Sequence, residues 1–595
     1  MSPAEEYQAR IAARRATSDA REKQFRRIGN ARLAAGIAGV AMAFFVFGEV
    51  WISAWWLLAP IAAFLGLAIR HGRVVEHLER SKRAGQFYER GLARLEGRWA
   101  GGGESGERFR NPSHLYSEDL DLFGKGSLFE LLSTARTRAG EDALARSLLA
   151  PASLDQAAER QEAVRELGGM LDLREDLAVL GDTLRSELDP DSAARWGQAP
   201  EVRFPAGARY IAPLFGAAIV ISFGLYMAGV LTRTPFLIVL LLEMAYAFFA
   251  VGTQTQRVKH AAESPARDLL LLAGLLRRLE SESFHAPLLA RLQARFKSGD
   301  QTASGHIRHL GRLAERLDWT DNLIFGPIAF ALLWTTQVAM AIERWRGAHG
   351  LHIREWIDTA GEFEALCSLA AYSYEHPADP FPELSDAPGG CLDADALAHP
   401  LMKESQGVRN DVRLGGETRL WIVSGSNMSG KSTLLRTIGI NTVLAWAGAP
   451  VRAARMRISP LSLGASIRVQ DSLQDGRSRF YAEITRLREI VALTGAGRPV
   501  LFLLDELLSG TNSHDRRIGA SAIVRALIDR GALGLITTHD LALADIAASI
   551  PGRAVNVHFA DTLEGGELHF DYRLHPGVVE RSNALDLMRS VGLEV

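Results

Sequence analysis

Two kinds of apolar run stand out along the chain. Some are long enough to cross a bilayer, and others are short and end abruptly in polar residues. Residues 33–52 are apolar for about 20 residues apart from Glu49, and after a turn carrying Trp51, Trp55 and Trp56 a second run covers 55–69. Residues 1–32 hold eight Lys/Arg against four Asp/Glu, and Arg70, Arg73, Arg80, Lys82 and Arg83 follow the second run. Basic flanks, a nearly uncharged turn and interfacial tryptophans predict a transmembrane hairpin with both ends in the cytoplasm. The second arm, roughly 15–18 residues, is near the lower limit for crossing. The alternative is a buried helical hairpin in a soluble domain. Residues 210–231 and 235–251 repeat the pattern around a turn at 232–234, with Gly216, Gly224 and Gly229 in one arm, Glu243 in the other, and Arg257 and Lys259 beyond. Glu49 and Glu243 are single acids in apolar spans, and an intramembrane acid is a functional candidate; the plainer reading is placement near a span end or pairing with a neighbouring helix. Residues 323–342 are also apolar, but a fifth span would move the C-terminal part across the membrane. They are read as a buried core helix.

The other segments divide the chain. Residues 1–32 are a charged N-terminal segment, too long and charged for the n-region of a signal peptide, followed by the hairpin at 33–70. Residues 71–113 read as an amphipathic helical linker ending at Gly101–Gly103. Residues 114–375 read as a helical core interrupted by the second hairpin at 210–251. Within it, a turn at Gly124 and Gly126 precedes helices with apolar spacings of three and four. Residues 376–395 are a Pro-rich linker, and 396–595 form the last domain. An apolar content of 47% is ample for large cores. A net charge of −2 advertises no global attraction to nucleic acid, so any such contact needs a local patch. Two cysteines, Cys367 and Cys391, exclude a disulfide framework and fit a reducing compartment.

The short runs carry the chemistry. The run at 420–423 leads into Gly425-x-x-x-x-Gly430-Lys431-Ser432, strand before and helix after, as a phosphate-binding loop requires. The two glycines let several backbone N–H groups converge on one phosphate. Ser426, Asn427, Met428 and Ser429 complete the loop, and the helix from Thr433 adds its positive end. Lys431 can reach the β- and γ-phosphates, and Ser432 can ligate Mg²⁺. The run at 499–504 ends in Asp505 and Glu506. Carboxylates there are costly unless they face a cation. Asp505 is placed to hold Mg²⁺ through water, and Glu506 to act as general base on the attacking water. The run at 532–536 ends in Thr537, Thr538, His539 and Asp540, where His539 can sense or orient the γ-phosphate. All three lie at the carboxyl edge of a parallel sheet, where ligands bind in open α/β folds. These residues predict an ATPase using ATP and Mg²⁺.

The motifs resemble the ATPase domain of the MutS family, a branch of the ABC ATPase class. The likeness rests on Gly425 to Thr433 with its Asn427-Met428 pair, Asp475-Gly-Arg-Ser-Arg-Phe480, Asp505-Glu506 with Gly510-Thr511-Asn512, and Thr537-Thr-His-Asp540. It implies an α/β P-loop, ABC-type ATPase domain joined to an all-α MutS-like core and the two hairpins. It also implies a homodimer in which Ser478 contacts the γ-phosphate of ATP bound to the other subunit. His399, in a His-Pro-Leu segment before the loop, resembles a family segment near the adenine, but Ala396 or Leu397 stands where an aromatic stacker is usual. Residues 114–167 resemble the start of the family's core, and 582–593 its closing helix. Nothing before residue 114 resembles the mismatch-wedging domain.

Three functional readings follow. The first is a membrane-anchored MutS-like ATPase, multi-pass in a bacterial-type inner membrane with its N-terminus and ATPase domain cytoplasmic. It closes as a dimer on ATP and clamps a partner, with DNA the candidate and mismatch repair the associated class. The second is a membrane-bound ATP switch acting on protein or lipid. The third, a transporter, fits less well, because four spans are few for a pathway and Gly-Arg-Ser-x-Phe replaces the transporter signature.

Overall fold

The computed structural model describes residues 1–48, 53–187, 190–298, 301–322, 325–468, 479–564 and 567–579. Glu49 and Trp51, the 475–478 part of the signature motif with Ser478, and the 582–593 segment lie outside the described residues. Backbone contacts divide the chain into two compact units. One comprises Met1–Thr134, Leu144–Leu171 and Leu366–Val595; the other comprises Ala135–Ala143 and Asp172–Ala365.

In the first unit, helices Pro3–Gly48 and Leu58–Leu95 run antiparallel. Tyr7 packs against Gly91, Phe25 against His71, and Gly39 against Pro60. The two ends of this pair differ in what covers them. Tyr7 and Tyr88 are buried, whereas Val40, Phe44, Phe47, Trp55 and Trp56 are 62–80% exposed. Burying one large apolar side chain is worth about 1.5–3 kcal/mol, and this row of them is left uncovered by protein atoms.

The same unit holds a six-stranded sheet. Its strands are β1 (Leu420–Ser424), β2 (Ser462–Ser466), β3 (Val500–Leu504), β4 (Leu533–Thr538), β5 (Ala554–Glu564) and β6 (Glu567–Pro576), in the order β6-β5-β1-β4-β3-β2. All neighbours are parallel except the β5–β6 hairpin. β3 and β4 are buried along their whole length, which is why they read as unbroken apolar runs. Helix Ser513–Asp529 covers one face through Ala520, Val524 and Leu527. Helix Lys431–Ala447 is buried nearly all round. A separate four-stranded sheet includes Cys391–Leu397 and Asn410–Gly415.

Among the described residues, the second unit is helical apart from one two-residue strand pair. Helix Ala208–Met227 is followed by Arg233–Ala245, which continues through a π-turn at Tyr246–Val251 into Gly252–Glu280. Leu269, Leu276, Ile307, Leu310 and Phe363 contribute to the core. Arg346 is buried and donates to the carbonyls of Trp196, Ala199 and Pro200 as well as to Glu343. Among the described residues, four helices are long and apolar enough to cross a membrane: Pro3–Gly48, Trp55–Leu95, Ala208–Met227 and Arg233–Glu280.

The 323–342 segment departs from the single buried helix read from sequence. Helices Phe325–Ala331 and Trp334–His349 meet at 74°, and together they would make a fifth candidate span. Leu333 adopts φ 47°, and Gln337 Nε2 donates to the Leu332 carbonyl at 2.8 Å. A left-handed leucine cannot continue a right-handed helix, and the glutamine amide takes over the carbonyl of the residue before it. Ile328 and Phe330 are about half exposed.

Candidate nucleotide site

Strand register fixes the site. Thr538 pairs with Ser424, and Ile536 with Leu504, so the residues that follow β1, β3 and β4 emerge at one sheet edge. Gly425, just past β1, has φ 152°, and a Cβ there would stand 2.8 Å from Ser429 Oγ. Gly430, at φ 102°, is the N-cap of helix Lys431–Ala447. Met428 has φ 68° and is exposed. Positive-φ residues interspersed in a tight turn point successive N–H groups inward, the arrangement that attracts anions. Ser429 Oγ is buried without a hydrogen-bond partner. Lys431 Nζ donates to the carbonyls of Gly425 and Ser426 at 2.9 and 2.7 Å. Burial lowers the Lys431 pKa, while Glu506 and Asp505 pull it back.

The charged ends of β3 and β4 meet the start of that helix. Ser432 Oγ donates to Asp505 Oδ2 at 2.5 Å, and Thr537 Oγ1 donates to Asp505 Oδ1. Thr537 Oγ1 also accepts from the Glu506 backbone N–H at 3.0 Å. Glu506 has φ 46°. This rare backbone state for a glutamate costs of order 1–3 kcal/mol unless its surroundings hold it. His539 Nδ1 lies 3.4 Å from Glu506 Oε1. The turn beyond is held at Leu508, whose N–H donates to Glu483 Oε1 at 2.6 Å and whose carbonyl accepts from Arg516. Phe480 packs on Gly510, and Asn512 accepts from the Asp515 N–H to cap helix Ser513–Asp529.

A cavity of about 770 Å³ joins these groups. Asn427, Met428, Gly430 to Thr433, Asp505 and Glu506 line one part, and His399, Met402, Val408, Phe559 and Tyr572 another. Its size suits a nucleotide. His399 Nδ1 accepts from the Leu401 N–H at 3.2 Å, and burial pushes its pKa down to about 4. Phe559 and Tyr572 were not singled out by sequence. They arrive through β5 and β6, and the Tyr572 ring would be 3.2 Å from a Cβ on Gly430. Ser432 Oγ and Asp505 provide the hard oxygen pair that Mg²⁺ takes alongside phosphates and water. Among the described residues no group of three or more His, Cys, Asp or Glu could hold a metal by itself.

Residues 421–594 match MutS domain V. The matched span takes in the 425–430 loop, Asp505, Glu506 and His539, while His399, Gln406 and Asn410 of the cavity lining lie before it. The chain is also similar to the DNA mismatch repair protein MutS of Natronomonas pharaonis, 33% identical over 271 residues, 43% of this chain and 29% of that protein. Two proteins named Endonuclease MutS2 show comparable likeness. The one from Thermus thermophilus is 34% identical over 203 residues and the one from Thermomicrobium roseum 34% over 209, each covering 33% of this chain and 25% of the relative. The chain thus spans less than a third of the length of these curated relatives. These likenesses are to proteins named MutS or MutS2.

Proposed function

We propose that the protein is a membrane-anchored ATPase of the MutS type whose dimer closes on ATP. The observation that carries the reading is the convergence of Lys431, Ser432, Asp505 and Glu506 on one cavity at the carboxyl edge of a parallel sheet, with His539 3.4 Å from Glu506. The 425–430 loop binds the phosphates through backbone N–H groups, and Lys431 exchanges its bonds to the loop's own carbonyls for bonds to phosphate oxygens. Ser432 and Asp505 hold Mg²⁺, which neutralises charge on the phosphates. Glu506 accepts a proton from the water that attacks the γ-phosphorus, and His539 orients it. Each site is completed by Ser478 of the partner subunit, as the family resemblance implies.

The exposed apolar ends of the long helices support a membrane anchor. The relatives' names, a DNA mismatch repair protein and endonucleases, favour DNA as what the dimer clamps. A switch acting on protein or lipid is the alternative that the membrane helices favour. ATPase activity of the detergent-solubilised full chain, with and without duplex and branched DNA across a salt series, tests the reading. DNA stimulation that fades with salt supports phosphate contacts. Activity that needs Glu506 but ignores DNA moves the substrate to protein or lipid, and absence of activity removes the ATPase assignment.

A further inference from the structure

Glu243 is fully buried in helix Arg233–Ala245, and neither carboxylate oxygen has a hydrogen-bond partner. The group facing it is the backbone at Leu333, in the break between helices Phe325–Ala331 and Trp334–His349. From the opposite hairpin arm, Gly216 packs on Leu332, where a Cβ would come 3.3 Å from the Leu332 carbonyl. One turn beyond Glu243, where the π-turn starts, the Tyr246 hydroxyl is also buried without a partner, its ring against Phe215. A π-turn inside an α-helix is often a functional feature.

The charges on the elements beside Glu243 lie far along them. On its own helix the nearest cation in sequence is Arg233, ten residues and about 15 Å away. Helix Ala208–Met227 carries Arg209, Tyr210 and Tyr226, all near its ends. The broken segment has no charge before Glu343, ten residues past the break. An ionised carboxylate sealed from water without a counter-charge is far costlier than the neutral acid.

We propose that Glu243 is a proton-binding site, in which the carboxylate takes up one proton to become the neutral acid beside Tyr246 and the Leu332–Leu333 break, and returns it as the ion. A monovalent metal ion fits less well. It would need several free oxygens, whereas the Leu332 carbonyl is taken by the Gln337 side chain and the Leu333 carbonyl accepts from the Gln337 N–H at 3.0 Å. The inference rests on the membrane reading only for the side from which the proton arrives, since protein atoms alone bury Glu243.

Infrared difference spectroscopy of the full chain in phosphatidylcholine nanodiscs, titrated from acid to alkaline buffer, tests it. The expected result is a protonated-carboxyl band at neutral pH that is missing in Glu243→Gln, shifted in Glu243→Asp and unchanged when Na⁺ replaces K⁺. Glu243→Gln mimics the neutral acid, so its thermal midpoint at neutral pH should match that of the parent chain. A neutral-pH spectrum lacking the band, or one in which Glu243→Gln retains it, overturns the proposal, as does bleaching by Na⁺, which would mark a cation site. The membrane reading is checked separately by Thr232→Cys in vesicles. Labelling by an impermeant maleimide from the nucleotide-domain side would reject the span while leaving the carboxyl band to decide the proton site.

Discussion

Arg94 and Glu375, 281 residues apart, form a two-pronged ion pair at 2.5 and 2.7 Å in which the Glu375 side chain is fully buried. Tyr7 donates to the same carboxylate at 3.1 Å. Both long N-terminal helices are thereby tied to the end of helix His352–Glu375, next to the linker that leads into the nucleotide domain. Removing one partner of a buried pair strands the other charge, at a cost of about 3–5 kcal/mol. Arg94→Ala should therefore lower the thermal midpoint of the solubilised chain strongly. The double change Arg94→Met with Glu375→Leu should recover most of that loss, because an apolar pair leaves no orphan charge. If the double variant is as unstable as the single, the bond matters through packing rather than charge.

Glu506→Gln keeps the side chain's shape but removes the proton acceptor. ATP binding should be retained, while the single-turnover hydrolysis rate falls by about 10²–10⁴-fold. Nucleotide affinity by fluorescence titration and phosphate release in rapid quench separate the two effects. An unchanged hydrolysis rate would assign the general base elsewhere.

Tyr572 reaches the cavity from β6 and packs over the loop at Gly430. If it stacks on the nucleotide base, Tyr572→Ala should cost about 1–3 kcal/mol, roughly 5- to 150-fold in Kd. Tyr572→Phe should keep the affinity, since the ring rather than the hydroxyl makes the contact. Isothermal titration with a non-hydrolysed ATP analogue reads both. Equal affinities of all three chains would leave the base to Phe559 or His399.

The sequence was most legible where the chemistry is local. Gly425 to Ser432, Asp505 and His539 each lie at the end of an apolar run, and a parallel sheet turns such run ends into neighbours. Tyr572 and Phe559 gave no such signal. Their place depends on β5 pairing with β1 across more than a hundred residues; the alternation of Leu568, Phe570, Tyr572 and Leu574 after Gly565-Gly566 marks a hairpin but not which strand it joins. The break at Leu333 was hidden for a different reason. Residues 323–342 have the composition of a continuous helix, and the interruption rests on one left-handed leucine and a glutamine that satisfies the neighbouring carbonyl. Glu243 was visible as an oddity, but its complete burial without a hydrogen-bond partner required the packing. Ser478 and Glu49 lie outside the described residues, so their roles rest on sequence.

Acid should weaken the fold through histidines held neutral. His399 accepts a backbone N–H at Nδ1, which only the neutral ring can do, and burial with a contribution from Arg436 pushes its pKa down from 6.5 to about 4. His114 lies with Nε2 at 3.1 Å from the Leu149 carbonyl, and burial also lowers its pKa. Between about 6.5 and 4 the unfolded chain binds a proton at His399 and the folded chain does not, and His114 acts in the same direction. Stability rises with pH wherever the unfolded state binds more protons. It is therefore complete above about 6.5 and lost progressively as pH falls toward 4. A urea series across this window should show the midpoint dropping with acid. In His399→Gln, which cannot titrate, the drop should be shallower, because one proton uptake by the unfolded chain is gone. An identical slope in the variant would mean that the ring is already protonated in the fold, and that the Leu401 N–H is bonded elsewhere.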